Sequence, residues 1–218
     1  MLKLSSYNGV EFVGVYSIAN EEFGLAPNDA EKTLIDDIEE ALGVKVTRST
    51  IAGTNLLGAL IAMNSYGAVV TSMASDPEVE LLSKHLRVAR IEDKLNAAGN
   101  NILVNDNGAI VNPEVTEETL KIIEETLQVE VAPMMIAGHK TVGSVCAATN
   151  KGVLCHPDTT KSEFDMIKSV MKVPAAIGTL NYGSPMLGAS IVANSKGGAV
   201  GFRSTPIELG RVEDALNL

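Results

Sequence analysis

Apolar residues along this chain follow two rhythms, short runs of three to five residues and spacings of three and four, and both recur on one frame. Gly14, Gly58, Gly99, Gly143 and Gly188 set that frame, at intervals of 44, 41, 44 and 45 residues. Self-similarity at such a period is the signature of a repeat architecture. Six positions after each glycine stand Asn20, Asn64, Asn105, Thr149 and Asn194; five before stand Gly9, Gly53, Lys94, Gly138 and Gly183. Nine positions after, four units carry glycine (Gly67, Gly108, Gly152, Gly197), whereas the first has Phe23 and places Gly24 one residue late.

Each frame glycine opens an apolar run such as Ala59 to Met63, too short for a helix and read as a buried strand. Asn-x-x-Gly then supplies residues that tolerate positive φ, and runs such as Ala68-Val69-Val70 follow, so a hairpin is predicted. Farther on, Ile35, Ile38 and Leu42 and their counterparts, through Leu209, Val212 and Leu216, repeat at i, i+3 and i+7, one face of a helix. Ser75, Thr116, Thr160 and Thr205 stand where the N-cap belongs; Glu78, Glu163 and Glu208 complete three capping boxes and Thr119 does not. Pro206 suits the first helical position. The first unit has Glu31 in the cap column, and its helix is expected to begin earlier, near Asn28-Asp29. A third strand follows each helix, as in Val44 to Val46, Val88 to Ile91 and Val129 to Val131.

The unit is thus strand, hairpin, strand, helix, strand, in repeats at about 1–45, 46–89, 90–130, 131–174 and 175–218. The capped helix argues against WD-type blades, and the hairpins against helical arrays. Open solenoids need atypical polar end units, yet the fifth unit ends flush at Leu218 and the first begins near Met1. The expected fold is therefore α/β (α+β), one domain over 1–218, with five units closed into a ring of pseudo-fivefold symmetry.

Composition narrows the function. Apolar residues make up 45% of the 218, enough for a real core, and no run approaches the ~20 residues of a membrane span. No signal peptide opens the chain, so a cytoplasmic protein without a membrane partner is expected. A net charge of −10 disfavours DNA and any broad wrapping of nucleic acid. It suits basic protein partners, or serves solubility alone. Cys146 and Cys155 fall opposite each other in one predicted hairpin, as two buried thiols or as a cross-strand disulfide that a reducing cytoplasm disfavours. His85, His139 and His156 form no metal spacing, Cys155-His156 alone is weak, and Gly-x4-Gly lacks the Lys-Ser/Thr ending of a phosphate loop. No catalytic residue, metal or cofactor is expected.

In register across all five units stand Ile51-Ala52-Gly53 with Gly58 and Asn64, Arg90 to Leu95 running into Gly99-Asn100, Val129 to Val131, Val142-Gly143-Ser144, Gly178 to Asn181 with Gly183-Ser184, and Ser204 to Leu209. These residues resemble the initiation factor 6 family, of the archaeal type, in the pentein fold, a five-unit β/α-propeller. The resemblance implies a non-enzymatic, monomeric factor that binds the intersubunit face of the large ribosomal subunit. There it would block premature joining of the small subunit, with a role in large-subunit biogenesis. Basic ribosomal proteins and a local contact near the sarcin-ricin loop of the rRNA are the implied partners. It maps the ribosome-facing side onto Asn55, Leu57, Ala59, Arg90, Gly99, Asn100, His139, Lys140, Ser144, Ser184 and Met186. Asn100 stands out because three other units carry small Ala or Ser after the frame glycine; it serves either contact or local backbone groups. The chain lacks the C-terminal tail of eukaryotic relatives, and Ala59 stands where a cation would serve RNA contact, leaving Arg90 and Lys140. Two alternatives are a pentein guanidine-modifying enzyme, against which the absence of any Cys after Cys155 argues, and a generic scaffold for a basic protein.

Overall fold

The computed structural model describes residues 1–218, a mixed α/β chain with five three-stranded sheets. Four sheets are contiguous: Ile18–Ala19, Phe23–Pro27 and Lys45–Ser49; Ile61–Met63, Gly67–Thr71 and Arg87–Ile91; Ile102–Val104, Gly108–Val111 and Glu130–Pro133; Ala147–Ala148, Val153–Cys155 and Ala175–Ile177. The fifth joins Ile191–Asn194 and Gly197–Gly201 to Leu2–Ser5 from the other end of the chain, which pairs in parallel with Leu2 opposite Gly198. Within each sheet the first two strands form the expected antiparallel hairpin, with Ile61 opposite Val70 in the second. The third strand lies parallel to the middle one, as a helical crossover requires. Outer strands run a few residues past the unit limits read from the sequence, to Ser49, Ile91, Pro133 and Ile177.

The long helices begin where the cap column places them. Ser75, Thr116, Thr160 and Thr205 are N-caps, and the boxes with Glu78, Glu163 and Glu208 are all formed. The first helix departs from the expectation of an earlier start: it runs Lys32–Leu42 with Glu31 at the N-cap. Asn28-Asp29 are spent on a turn, with Ala30 N–H donating to Pro27 O, and Asp29 receives the Tyr7 hydroxyl at 2.8 Å. Helix Lys32–Leu42 packs on the fifth sheet, Glu117–Leu127 on the second, Lys161–Met171 on the third and Pro206–Leu216 on the fourth. Asp76–Ser83 shares a cluster with Phe23 and Leu25 of the first sheet. Each helix therefore fills the gap between its own sheet and the one before, and the apolar core is divided into five clusters of 9 to 11 buried residues.

A second departure lies at the frame glycines. The runs read as strands from Gly58 or Gly188 onward begin with one turn of helix, Val13–Tyr16, Leu57–Leu60, Ala98–Asn101, Val142–Val145 and Leu187–Ser190, and turn into strand only afterwards. Four residues do not nucleate a helix on their own; a backbone contact between units holds these turns. A Cβ on Gly58 would fall inside 3.0 Å of the Gly14 carbonyl oxygen, one on Gly99 against Gly58, on Gly143 against Gly99, on Gly188 against Gly143, and on Gly14 against Gly188. Every frame glycine thus has another frame glycine as its neighbour. The asparagine column behaves alike. Asn20 Nδ2 donates to Asn64 O, Asn64 to Asn105 O, Asn105 to Thr149 O and Asn194 to Asn20 O, at 2.9–3.2 Å.

Candidate docking face

At the helix N-terminal side the chain crosses between units through tight turns. Paired backbone bridges close Tyr7 on Val10, Ile51 on Thr54, Ile136 on His139 and Leu180 on Ser184. Positive φ at Asn8-Gly9, Ala52-Gly53, Ala137-Gly138 and Tyr182-Gly183 leaves backbone N–H groups that need an acceptor. In the second, fourth and fifth units the capping-box glutamates supply it. Glu78 accepts from Ala52 N–H at 3.0 Å, Gly53 N–H at 3.1 Å and Thr50 Oγ1 at 2.7 Å, besides the Ser75 groups of its own cap. Burial pushes its carboxyl up, but hydrogen bonds from Ser75, Thr50 and Gly53 outweigh burial and hold it at about 2. Glu208 serves Thr179, Tyr182 and Gly183 in the same way, and Glu163 serves Ala137 N–H.

The third unit has no glutamate in this column, and its loop reaches the other way. Asp93 accepts from Thr116 N–H at 3.0 Å and Thr119 Oγ1 at 2.9 Å, tying the loop to the helix start from the loop side. Its carboxyl, pushed up by burial, is brought below its usual range by hydrogen bonds from Leu95, Thr116 and Thr119. Sequence reading passed over Asp93, although Thr119 breaking the capping-box column is the signal that another acceptor is needed nearby.

Against this framework the eleven predicted face residues sort by accessibility. Asn55, Arg90, Gly99, Asn100, Ser184 and Met186 are half-buried, and His139 and Lys140 are exposed. Leu57 has no exposed area and belongs to the second core cluster, so its side chain supports the face from below. Ala59 and Ser144 are buried as well. Several of the polar residues are engaged within the fold. Asn55 Nδ2 donates to Tyr7 Oη at 2.9 Å and Asp29 Oδ1 at 3.1 Å, linking two loops. Asn100 Oδ1 accepts from Ser144 Oγ at 3.1 Å, bridging the third and fourth units at equivalent positions. Arg90 donates to Ala74 O and pairs with Asp76 at 2.6 Å, and Lys140 pairs with Glu114, so neither cation is a bare charge.

The chemistry elsewhere is structural. Cys146 and Cys155 are free and buried, and the hydrogen bond Cys155 shares with Cys146, together with burial, raises the Cys155 thiol far above its usual range, opposite to what a nucleophile needs. His139 and His156 lie 5.0 Å apart between ring centroids, and Asp158 N–H donates to His156 Nδ1 at 3.1 Å. Burial first and the His139 charge second lower the His156 pKa. No group of three or more His, Cys, Asp or Glu has the arrangement of a metal site, and no helix is long and apolar enough to cross a membrane. Where the five frame glycines meet, a hollow of about 120 Å³ is lined by apolar strand residues such as Ile61, Ile102 and Ile191 and by Ser17, whose Oγ is buried without a partner.

Five strand-and-helix units that share one frame, meet through glycine backbones and carry stiffened turns at one end describe a repeat protein built to present loops. The eIF-6 family model matches residues 2–215. The chain is 40% identical to translation initiation factor 6 of Methanocella arvoryzae, over 99% of this chain and 98% of that one. It is 37% identical to the factor of the same name in Thermoplasma acidophilum over the full length of both, and 36% to that of Methanospirillum hungatei JF-1, over 99% and 98%. The chain belongs to the eIF-6 family.

Proposed function

We propose that this chain is a translation initiation factor that binds the intersubunit side of the large ribosomal subunit and prevents premature joining of the small subunit by steric occlusion, with a part in large-subunit biogenesis. The observation that carries the reading is the family match over residues 2–215, joined by relatives that align along nearly their whole length and share one name. We infer further that residues 1–218 form one pentein domain in which the units close a ring. The support is the cyclic order of glycine and asparagine contacts and the N-terminal strand that completes the fifth sheet. The factor is read as a non-enzymatic, cytoplasmic monomer. A guanidine-modifying activity is disfavoured because both cysteines are core residues and the Cys155 thiol resists ionisation.

In this reading the docking face is the turn end, with Asn55, Arg90, Gly99, Asn100, His139, Lys140, Ser184 and Met186 accessible and Leu57, Ala59 and Ser144 beneath them. The net charge of −10 suits basic ribosomal proteins and restricts rRNA contact to a local one near the sarcin-ricin loop. Turns held by buried carboxylates lose little freedom on docking, which favours binding without induced fit. The test mixes purified large and small subunits with the protein and follows joining by light scattering, with gradient co-sedimentation alongside. Stoichiometric suppression of joining and travel with the large subunit alone are expected; neither co-sedimentation nor a change in joining would overturn the proposal. Asn100→Tyr is expected to weaken subunit binding at unchanged Tm, and an equal loss of stability would confine Asn100 to its bridge with Ser144.

A further inference from the structure

The two most exposed large apolar side chains of the molecule are Ile207, at 81%, and Tyr182, at 78%; Met73 follows at 62%. They come from different segments, yet one carboxylate positions both. Glu208, the neighbour of Ile207 in the first turn of helix Pro206–Leu216, accepts from Tyr182 N–H at 3.2 Å and Gly183 N–H at 2.8 Å. Asn181 N–H donates to Ser204 Oγ at 2.9 Å, and Asn181 Nδ2 to Glu11 O at 3.1 Å, which fixes the turn from two more sides.

Tyr182 also sits where a bulky residue is costly. Its φ is +63, in the left-handed region, and Asn181 before it is at +50. Other units place Asn8, Ala52 and Ala137 directly before the loop glycine, residues that are small or suited to positive φ. The fifth turn is one residue longer as well, closing Leu180 on Ser184 where the second closes Ile51 on Thr54. Strain kept at a bulky residue that stays 78% exposed points to a use outside the fold. Beside Ile207 lies a hollow of about 280 Å³ bordered by Pro157, Ile177, Thr179 and Arg211, with room for an apolar side chain from a partner.

We propose that Tyr182 and Ile207 are a pre-set anchor that docks into an apolar patch on a basic protein of the partner; this rests on the subunit-binding reading above. A protein is favoured over nucleic acid by the chemistry of the pair. Bases stack on Tyr but gain less from an aliphatic Ile, and phosphates would approach a body of net charge −10 where Arg203 is paired with Glu11 at 3.6 Å and Arg211 is the one cation bordering the hollow. An exposed aromatic and an exposed aliphatic side chain on two segments joined through Glu208 have the composition of an interface hot spot. Its fixed backbone reduces the ordering cost of binding.

The test measures co-sedimentation of wild type, Tyr182→Ala, Tyr182→Gly and Ile207→Asp with purified large subunits. Each variant is expected to bind roughly tenfold more weakly, the cost of losing a hot-spot side chain. Thermal unfolding of Tyr182→Gly is expected at an equal or higher Tm, because glycine relieves the left-handed strain. Variants that bind like a wild type that does sediment overturn the anchor and leave subunit binding standing; a wild type that does not sediment overturns both. A photoreactive p-benzoylphenylalanine at position 182 is expected to cross-link to a basic ribosomal protein. Cross-linking to rRNA alone would overturn the assignment of the partner.

Discussion

The second and third units solve one problem from opposite sides. In the second, a helix glutamate, Glu78, reaches back to the turn at Ala52-Gly53; in the third, a turn aspartate, Asp93, reaches forward to the helix start at Thr116 and Thr119. Both place a carboxylate between a loop and the N–H groups at a helix N-terminus, where a negative charge is favoured. What the repeat preserves is the acceptor between two donor-rich segments, and either segment can carry it. The asparagine column, by contrast, has a position in the fourth unit where no other residue takes over the lost donor. Asn64, Asn105 and Asn194 each also donate to the last turn of a helix, at Leu127, Met171 and Leu42, whereas the side chain of Thr149 in the same column donates only to Gly152 O of its own hairpin.

The largest effect is expected from Glu78→Gln. The Glu78 carboxylate accepts from Thr50, Ala52, Gly53 and both Ser75 groups, and the amide can accept through one oxygen only, so urea unfolding should report a loss of about 2 kcal/mol. The pH dependence has a definite sign. The folded pKa of Glu78 lies below the unfolded one, so this stabilisation is complete above about 4.5 and is lost as pH falls toward about 2. The wild-type stability curve should therefore steepen in that window, and Glu78→Gln should flatten it; parallel curves would remove Glu78 as the cause.

Asp93→Ala is expected to cost less, about 1–2 kcal/mol, since it leaves Thr116 and Thr119 a partner in each other. The exchange between units predicts a rescue. Thr119→Glu added to Asp93→Ala should recover part of the loss by rebuilding the capping box of the second unit, while Thr119→Glu alone should destabilise by placing two carboxylates at one helix start. Additive losses in this double-mutant cycle would break the equivalence drawn here. The smallest effect is expected from Thr149→Asn, a gain of about 0.5–1 kcal/mol from donors restored between the fourth and fifth units. An unchanged urea midpoint would mean that the column has no opening there.

Much of the unit was legible because its signals are local. The caps at Ser75, Thr116, Thr160 and Thr205 need only a side chain three residues from its partner, and the apolar face of each long helix is written at i, i+3 and i+7. Hairpins announced by Asn-x-x-Gly depend on residues a few positions apart, and they formed as expected. The face was less legible. The resemblance put Leu57 and Asn100 alike on the face, but a place in the repeat says nothing of exposure: Leu57 is sealed in a core, and Asn100 is half-buried and bonded to Ser144.

The sequence by itself determined the frame and the number of units, because a repeated register is legible without any contact, and the helix starts of four units and the hairpins, because each of these rests on residues within about one turn of one another. Tertiary structure decided the rest. It set the helical turn at each frame glycine, where two backbones meet across units 41 to 45 residues apart, and 174 apart for Gly14 against Gly188. It chose Leu2–Ser5 as the partner of Gly197–Gly201 and left Tyr182 exposed in a strained turn held by Glu208. These features depend on groups far apart in the chain, whose meeting is worth its entropy only once the surrounding units are packed.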